Sequence, residues 1–162
     1  MIFLSNSFSA NSANSTKLII PPIYTCDGTN ETPHFSWSGE PQHTQSFAIL
    51  IDDPDSPNPP NWCHLLLFNI PASIHEIPEG SLKKTQYPFG WNSWSRGNYG
   101  GPCPPNGKHQ YVFHLFALNR LLPEMNPEND EPWMRDTFLY FIQKNNSVLA
   151  QDTFSAYYKR RN

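Results

Sequence analysis

Three apolar runs organise the pattern of hydrophobic and polar positions along the chain. Ser46-Phe47-Ala48-Ile49-Leu50-Ile51-Asp52 is apolar in its whole interior. Its short length and its boundary at Pro54 predict a strand buried on both faces rather than a helix. Pro54 also favours an extended conformation for Asp53. Trp62 to Ile70 reads as a second such strand, with Trp62, His64, Leu66, Phe68 and Ile70 alternating onto one face. His109 to Leu118 reads as a third, with His109, Tyr111, Phe113, Leu115 and Ala117 on one face.

Weaker patterns surround these runs. Phe35-Ser36-Trp37-Ser38-Gly39 alternates and predicts a half-buried strand ending at the glycine. Leu18-Ile19-Ile20 is a short apolar run stopped by Pro21-Pro22, and the Ser/Asn-rich residues 1–17 are expected to lie extended on the surface. Residues 71–108 read as one long ordered connection, held to the sheet by Tyr87, Phe89, Trp91, Trp94 and Tyr99. After Pro132, residues 133–142 lack Pro and Gly and predict a helix, with further helical turns through Val148-Leu149-Ala150. The expectation is a mainly β sandwich with peripheral and C-terminal helices, as a single domain over 1–162.

Composition supports this picture. Pro is 17 of 162 residues, about twice ordinary usage, which argues against a helical bundle. Charged residues are only 15% and the net charge is −3, so no electrostatic footprint for nucleic acid is present. The basic run Lys159-Arg160-Arg161 reads as a solvated tail. No apolar stretch approaches a membrane span, and Met1-Ile2-Phe3-Leu4 turns polar without the basic start of a secretion signal, so a cytoplasmic setting is expected. Cys26, Cys63 and Cys103 are odd in number and widely spaced. Cys26 and Cys103 both sit in loop sequence and could meet, but unpaired thiols are the expectation for a cytosolic chain.

The candidate chemistry stands at the ends of the three apolar strands. Asp53-Pro54-Asp55-Ser56-Pro57 follows the first, Trp62-Cys63-His64 enters the second, and the segment from Gly100 to Tyr111 enters the third. A histidine on a core-facing strand position needs a hydrogen-bond partner, and carboxylates at a neighbouring strand end supply one. Such pairing is expected to raise each imidazole pKa and favour the charged form. Two imidazolium groups and the Tyr111 hydroxyl would then present donors to a phosphate or carboxylate. Singly, each residue reads as ordinary core or turn chemistry. Their coincidence at three strand ends points to a site.

These same stretches resemble the phosphatidylethanolamine-binding protein family, the group that includes the Raf-kinase inhibitor protein, and its bacterial branch in particular. The matching motifs are Asp53-Pro54-Asp55-Ser56-Pro57, Trp62-Cys63-His64, Gly100-Gly101-Pro102-Cys103-Pro104-Pro105 and Gly107-Lys108-His109-Gln110-Tyr111. Weaker matches lie at Cys26-Asp27-Gly28-Thr29-Asn30, Phe35 to Gly39 and Val148-Leu149-Ala150. The resemblance implies a Greek-key sandwich of two antiparallel sheets and a small pocket for phosphate-like anions or phosphorylethanolamine head groups. The residues it implies for that pocket are Asp53, Trp62, His64, Gly101, His109 and Tyr111, with Asp55 and Pro57 in the same loop and Pro104 and Pro105 at the rim. It further implies a modulator of a kinase or protease, with an unidentified protein partner, rather than an enzyme. Three positions depart from the family pattern: Gln110 replaces an arginine, and Ser147 and Ala156 replace a histidine and a glycine in the segment read as a helical tail.

Two enzymatic alternatives compete. His64, His109 and Asp53 could form a two-histidine, one-carboxylate metal site, although His-x-His and His-Glu-x-x-His motifs are absent. A hydrolase with a histidine base and Asp53 as orienter lacks a placed nucleophile. Cys63 is expected on the opposite strand face from His64, and Ser81-Leu82-Lys83-Lys84 lacks the companion motifs of Ser-x-x-Lys enzymes. No cofactor is implied.

Overall fold

The computed structural model describes residues 1–10, 15–57, 59–84 and 87–160. Residues 11–14 of the polar N-terminal stretch, Arg161 of the basic run and the side chains of Lys83 and Lys84 lie outside the described residues. In chain order the strands are β1 (Ile2–Leu4), β2 (Ser9–Ala10), β3 (Leu18–Ile19), β4 (Phe35–Ser38), β5 (Ser46–Asp53), β6 (Trp62–Pro71), β7 (Glu76–Ile77), β8 (Lys108–Leu118), β9 (Met125–Asn126) and β10 (Glu131–Pro132). Helix α1 (Arg135–Lys144) and strand β11 (Val148–Lys159) complete the chain.

A six-stranded sheet in the order β2-β3-β11-β8-β5-β6 forms the middle layer. The sheet β1-β4-β7 covers one face. Between them lies a first core that includes Phe3, Phe35, Trp37, Phe47, Ile49, Leu65, Phe113 and Leu115. A second core on the opposite face packs Leu50, Leu66, Phe68 and Phe116 under Phe138 and Ile142 of α1, with Trp133. This double covering is why β5 and β6 read as continuous apolar runs, since a strand buried on both faces has no solvent side to mark with polar residues.

The mainly β reading holds, and the three long strands stand where the pattern places them. Four details differ. The expected helical turns at Val148-Leu149-Ala150 are the start of β11, a twelve-residue strand paired along its length with β8. Its last residues alternate Ala156 and Tyr158 into the first core, a period of two that the helical reading overlooked. The sheet is not wholly antiparallel, because β11 pairs β3 in parallel. The N-terminal stretch is not confined to the surface, since Phe3 and Phe8 are buried. Finally, β6 does not keep one face. Asp52 pairs with Cys63 but Ile51 pairs with Leu65, so His64 is an unmatched, bulged residue. Leu66 and Phe68 therefore enter the second core, and a second register shift, where Phe47 pairs with Ile70 but Ile49 with Leu67, turns Ile70 into the first.

Between β6 and β8 the described residues are mostly irregular, as expected, with β7, a short 3-10 turn over residues 81–84 and an isolated bridge from Phe89 to Leu67. Tyr87, Phe89 and Tyr99 pack against the first core. Trp91 and Trp94 remain more than a third exposed.

Candidate functional site

β8 runs antiparallel to β5, and β5 antiparallel to β6. The end of β5 and the starts of β6 and β8 therefore meet at one edge of the sheet. Their side chains line a cavity of about 300 Å³ together with the loops that follow β5 and precede β8. Of the residues expected there, Asp53, Trp62, His64, Pro104, Pro105, His109 and Tyr111 line it, and so does Pro57. Asp55 and Gly101 do not line it. The Asp55 N–H donates to Asp53 Oδ1 at 2.9 Å, and its own Oδ2 accepts from the Gln110 N–H at 2.8 Å. Gln110 thus holds the loop through its backbone N–H, which any residue but proline supplies. Gly101 donates its N–H to Asn30 Oδ1 at 2.9 Å. A Cβ there would collide with that oxygen and with the Tyr24 carbonyl, so only glycine allows the approach.

Sequence reasoning missed Ser56, Trp94 and Cys103 in the lining. Ser56 was legible as part of the Asp53–Pro57 motif. Trp94 was not, because it reaches the cavity only through the course of a long loop. Its ring meets Trp62 edge-on at 5.4 Å and His64 at 5.2 Å between centroids.

The two histidines are held differently. His109 donates from Nδ1 to Asp53 Oδ2 at 2.7 Å, a buried pair. His64 is 3% exposed and clasped by Gly100: the His64 carbonyl accepts from the Gly100 N–H at 3.0 Å, and His64 Nδ1 lies 2.7 Å from the Gly100 carbonyl. Burial pushes the His64 pKa down, outweighing the upward pull of the Gly100 carbonyl and of Asp53. The expectation that both imidazoles are charged therefore fails at His64, where desolvation outweighs the neighbouring carboxylate. Burial, with the Asp53 charge added, pushes the Tyr111 hydroxyl up, so it stays a phenol.

Three buried polar atoms of the lining residues have no hydrogen-bond partner among the described residues: His64 Nε2, Tyr111 Oη and Trp62 Nε1. Leaving such atoms unsatisfied costs roughly 1–3 kcal/mol each. A lowered imidazole pKa has a measurable consequence. As pH falls, the unfolded chain takes up a proton near the ordinary histidine value of about 6.5 before folded His64 does. The stability owed to neutral His64 is complete above that pH and is lost as pH falls below it. Denaturant melts between pH 7.5 and 5 should fall more steeply for the native chain than for His64→Gln. Equal slopes would contradict the assignment of a neutral imidazole.

The free-thiol expectation also fails for two of the three cysteines. Cys26 and Cys103 form a disulfide with Cα atoms 5.5 Å apart, while Cys63 is free and buried. The loops carrying the pair are already joined by Cys26 N–H to the Pro102 carbonyl at 3.2 Å and by Tyr99 Oη to the Tyr24 carbonyl at 2.6 Å. Cys63 lies in the second core, away from the His64 side, and burial pushes its thiol up to about 12, too high for a nucleophile. Among the described residues, no helix is long and apolar enough to cross a membrane.

A sandwich whose middle sheet ends in an Asp-His-His-Tyr cavity defines the class: a β protein with a small polar pocket at its strand ends. The chain belongs to the phosphatidylethanolamine-binding protein family, whose profile matches residues 10–159. It is 35% identical over 150 residues to a UPF0098 protein of Aquifex aeolicus, covering 87% of this chain and 81% of that one. It is 37% identical over 103 residues to UPF0098 protein YbcL of Escherichia coli, covering 59% and 56%. The crystal structure of E. coli YbcL, described as a new member of the mammalian family, superposes with a TM-score of 0.80 at 25% identity and 98% coverage of both chains. A family homologue from Chlamydia trachomatis superposes with a TM-score of 0.82 at 24% identity, covering 98% of this chain and 97% of that one, a likeness of fold. None of these names is that of an enzyme.

Proposed function

We propose that this protein is a non-enzymatic binding module, one domain over 1–162, whose cavity takes a small phosphate-like anion or a phosphorylethanolamine head group. The observation that carries the reading is the set of unpartnered buried atoms on His64, Tyr111 and Trp62, grouped beside the Asp53–His109 pair. Tyr111 and Trp62 supply donors, and His64 supplies a proton-dependent partner. The family's implied role as a modulator of a kinase or protease fits a binding module, with the cavity rim at Pro104 and Pro105 as the surface a partner would meet.

The absence of a prepared nucleophile favours binding over hydrolysis. Ser56 lines the cavity but makes no hydrogen bond to either imidazole among the described residues. The metal-dependent alternative requires His64, His109 and Asp53 to converge. Among the described residues, no three His, Cys, Asp or Glu side chains are grouped to hold an ion.

The disulfide changes the reading of compartment. The free-thiol expectation rested on the cytoplasmic one, whereas disulfides persist in oxidising compartments. The reading that fits the bond is a protein working in such a compartment.

Calorimetry with inorganic phosphate and phosphorylethanolamine tests the binding reading. Binding is expected to weaken as pH rises from 6 to 9, because a neutral His64 needs a proton to accompany the anion. His64→Ala is expected to abolish binding while the far-ultraviolet circular dichroism stays native. Affinity that is flat across this pH range, or retained in His64→Ala, would defeat the reading.

A further inference from the structure

Resting on the anion reading above, we propose that the cavity selects a phosphate group that carries its own ionisable proton, and rejects acceptor-only anions. The favoured class is a phosphomonoester or inorganic phosphate. Sulfate and phosphodiesters, including the phosphate of an intact phospholipid, are disfavoured. The geometry of His64 carries this. A carbonyl oxygen can only accept, so the 2.7 Å contact between His64 Nδ1 and the Gly100 carbonyl fixes the ring proton on Nδ1. The neutral ring then presents a lone pair at Nε2, a buried atom without a partner among the described residues. That atom asks its ligand for a donor.

The rest of the lining sharpens the requirement. Asp53 is a second acceptor on the cavity wall, with one oxygen held by the Asp55 N–H and the other by His109. The groups around His64 that titrate are Asp52 and Asp53 on β5 and His109 and Tyr111 on β8; the loop before β8 brings Trp94 and the disulfide to the cavity. Donors come from Trp62 Nε1 and Tyr111 Oη, both without a partner among the described residues. The wall therefore offers a mixture of donors and acceptors, whereas sulfate and a phosphodiester offer only acceptors. Either of them would set an oxygen against the Nε2 lone pair. A phosphomonoester, whose second pKa is about 6, supplies a P–OH near neutral pH. A site built to pair with a ligand hydroxyl discriminates strongly against an analogue lacking it, because its own acceptor is left bare. On this ground the free head group phosphorylethanolamine enters the cavity, and the same head group within a phospholipid does not.

The test is calorimetry at pH 6.5 and constant ionic strength with four probes: inorganic phosphate, phosphorylethanolamine, glycerophosphorylethanolamine and sulfate. The first two are expected to bind on the order of tenfold or more tightly than the last two. Sulfate or the diester binding as tightly as phosphate would overturn the proposal while leaving the anion reading intact. Failure of all four to bind would remove the anion reading itself. His64→Gln adds a second measurement, since an amide can turn its NH₂ toward the anion. It should narrow the preference for phosphate over sulfate, and an unchanged preference would count against His64 as the discriminating group. If that variant does not fold, the ranking of the four probes on the native chain decides.

Discussion

Replacing both Cys26 and Cys103 with serine should lower the melting temperature by roughly 10–15 °C. The bond closes a loop between residues 77 apart in sequence. In the chain-entropy account, closing a loop of that length removes enough freedom from the unfolded chain to stabilise the fold by about 4 kcal/mol. For a domain of this size, each kcal/mol moves the midpoint by roughly 2–4 °C. The backbone bond from Cys26 to Pro102 and the bond from Gly101 to Asn30 remain, so the loops should stay together and the fold should persist. Because Cys103 lines the cavity beside Pro104 and Pro105, phosphate affinity should fall along with stability. Thermal melts with and without reductant check the first expectation, and phosphate calorimetry on the serine variant checks the second. A melting temperature unchanged by reduction would mean that the loop is held by its hydrogen bonds alone.

Arg135→Ala should cost about 3 kcal/mol, a fall of roughly 6–12 °C in melting temperature. Asp52 is the neighbour of Asp53 but points to the other side of the sheet, where it is 3% exposed. Its Oδ2 accepts from Arg135 Nε at 2.9 Å and its Oδ1 lies 3.2 Å from His114 Nε2. Burial alone would raise the Asp52 pKa, but the hydrogen bonds and charges of His114 and Arg135 hold it below the usual carboxylate value. Removing Arg135 leaves a buried carboxylate with one partner and frees the first turn of α1, whose Phe138 and Ile142 cover the second core. The cost stays at the low end for a broken buried pair because His114 remains and the guanidinium is partly solvated. The double variant Asp52→Asn/Arg135→Gln should recover at least half the loss, since no charge is then left buried alone. Chemical denaturation of the two variants and the native chain measures this. A single variant as stable as the native chain would show that packing of Phe138 and Ile142 holds α1 without the ion pair.

Much of the site was legible in the primary structure because its residues sit at punctuation marks. Asp53 precedes a proline, His64 follows Trp62 and Cys63 at a strand start, and His109 and Tyr111 follow the Gly-Pro segment. Period-two alternation placed His109 and Tyr111 on one face correctly, because β8 pairs with β11 without a bulge over those residues. The same rule failed on β6, where a bulge at His64 resets the alternation, and no local pattern announces a bulge. It was overlooked on β11, where a short apolar run resembled a helical turn.

The sequence by itself determined the mainly β class, the three long apolar strands, the site motifs and the family. These follow from local preferences and periodicity, which are written in neighbouring residues. The tertiary structure alone decided three things: that Cys26 meets Cys103, that Asp52 and Asp53 serve opposite faces, and that His64 is neutral with its lone pair available. Each depends on groups distant in the chain. Burial and the Gly100 carbonyl set the state of His64, and a charge's surroundings exist only once the chain has folded around it.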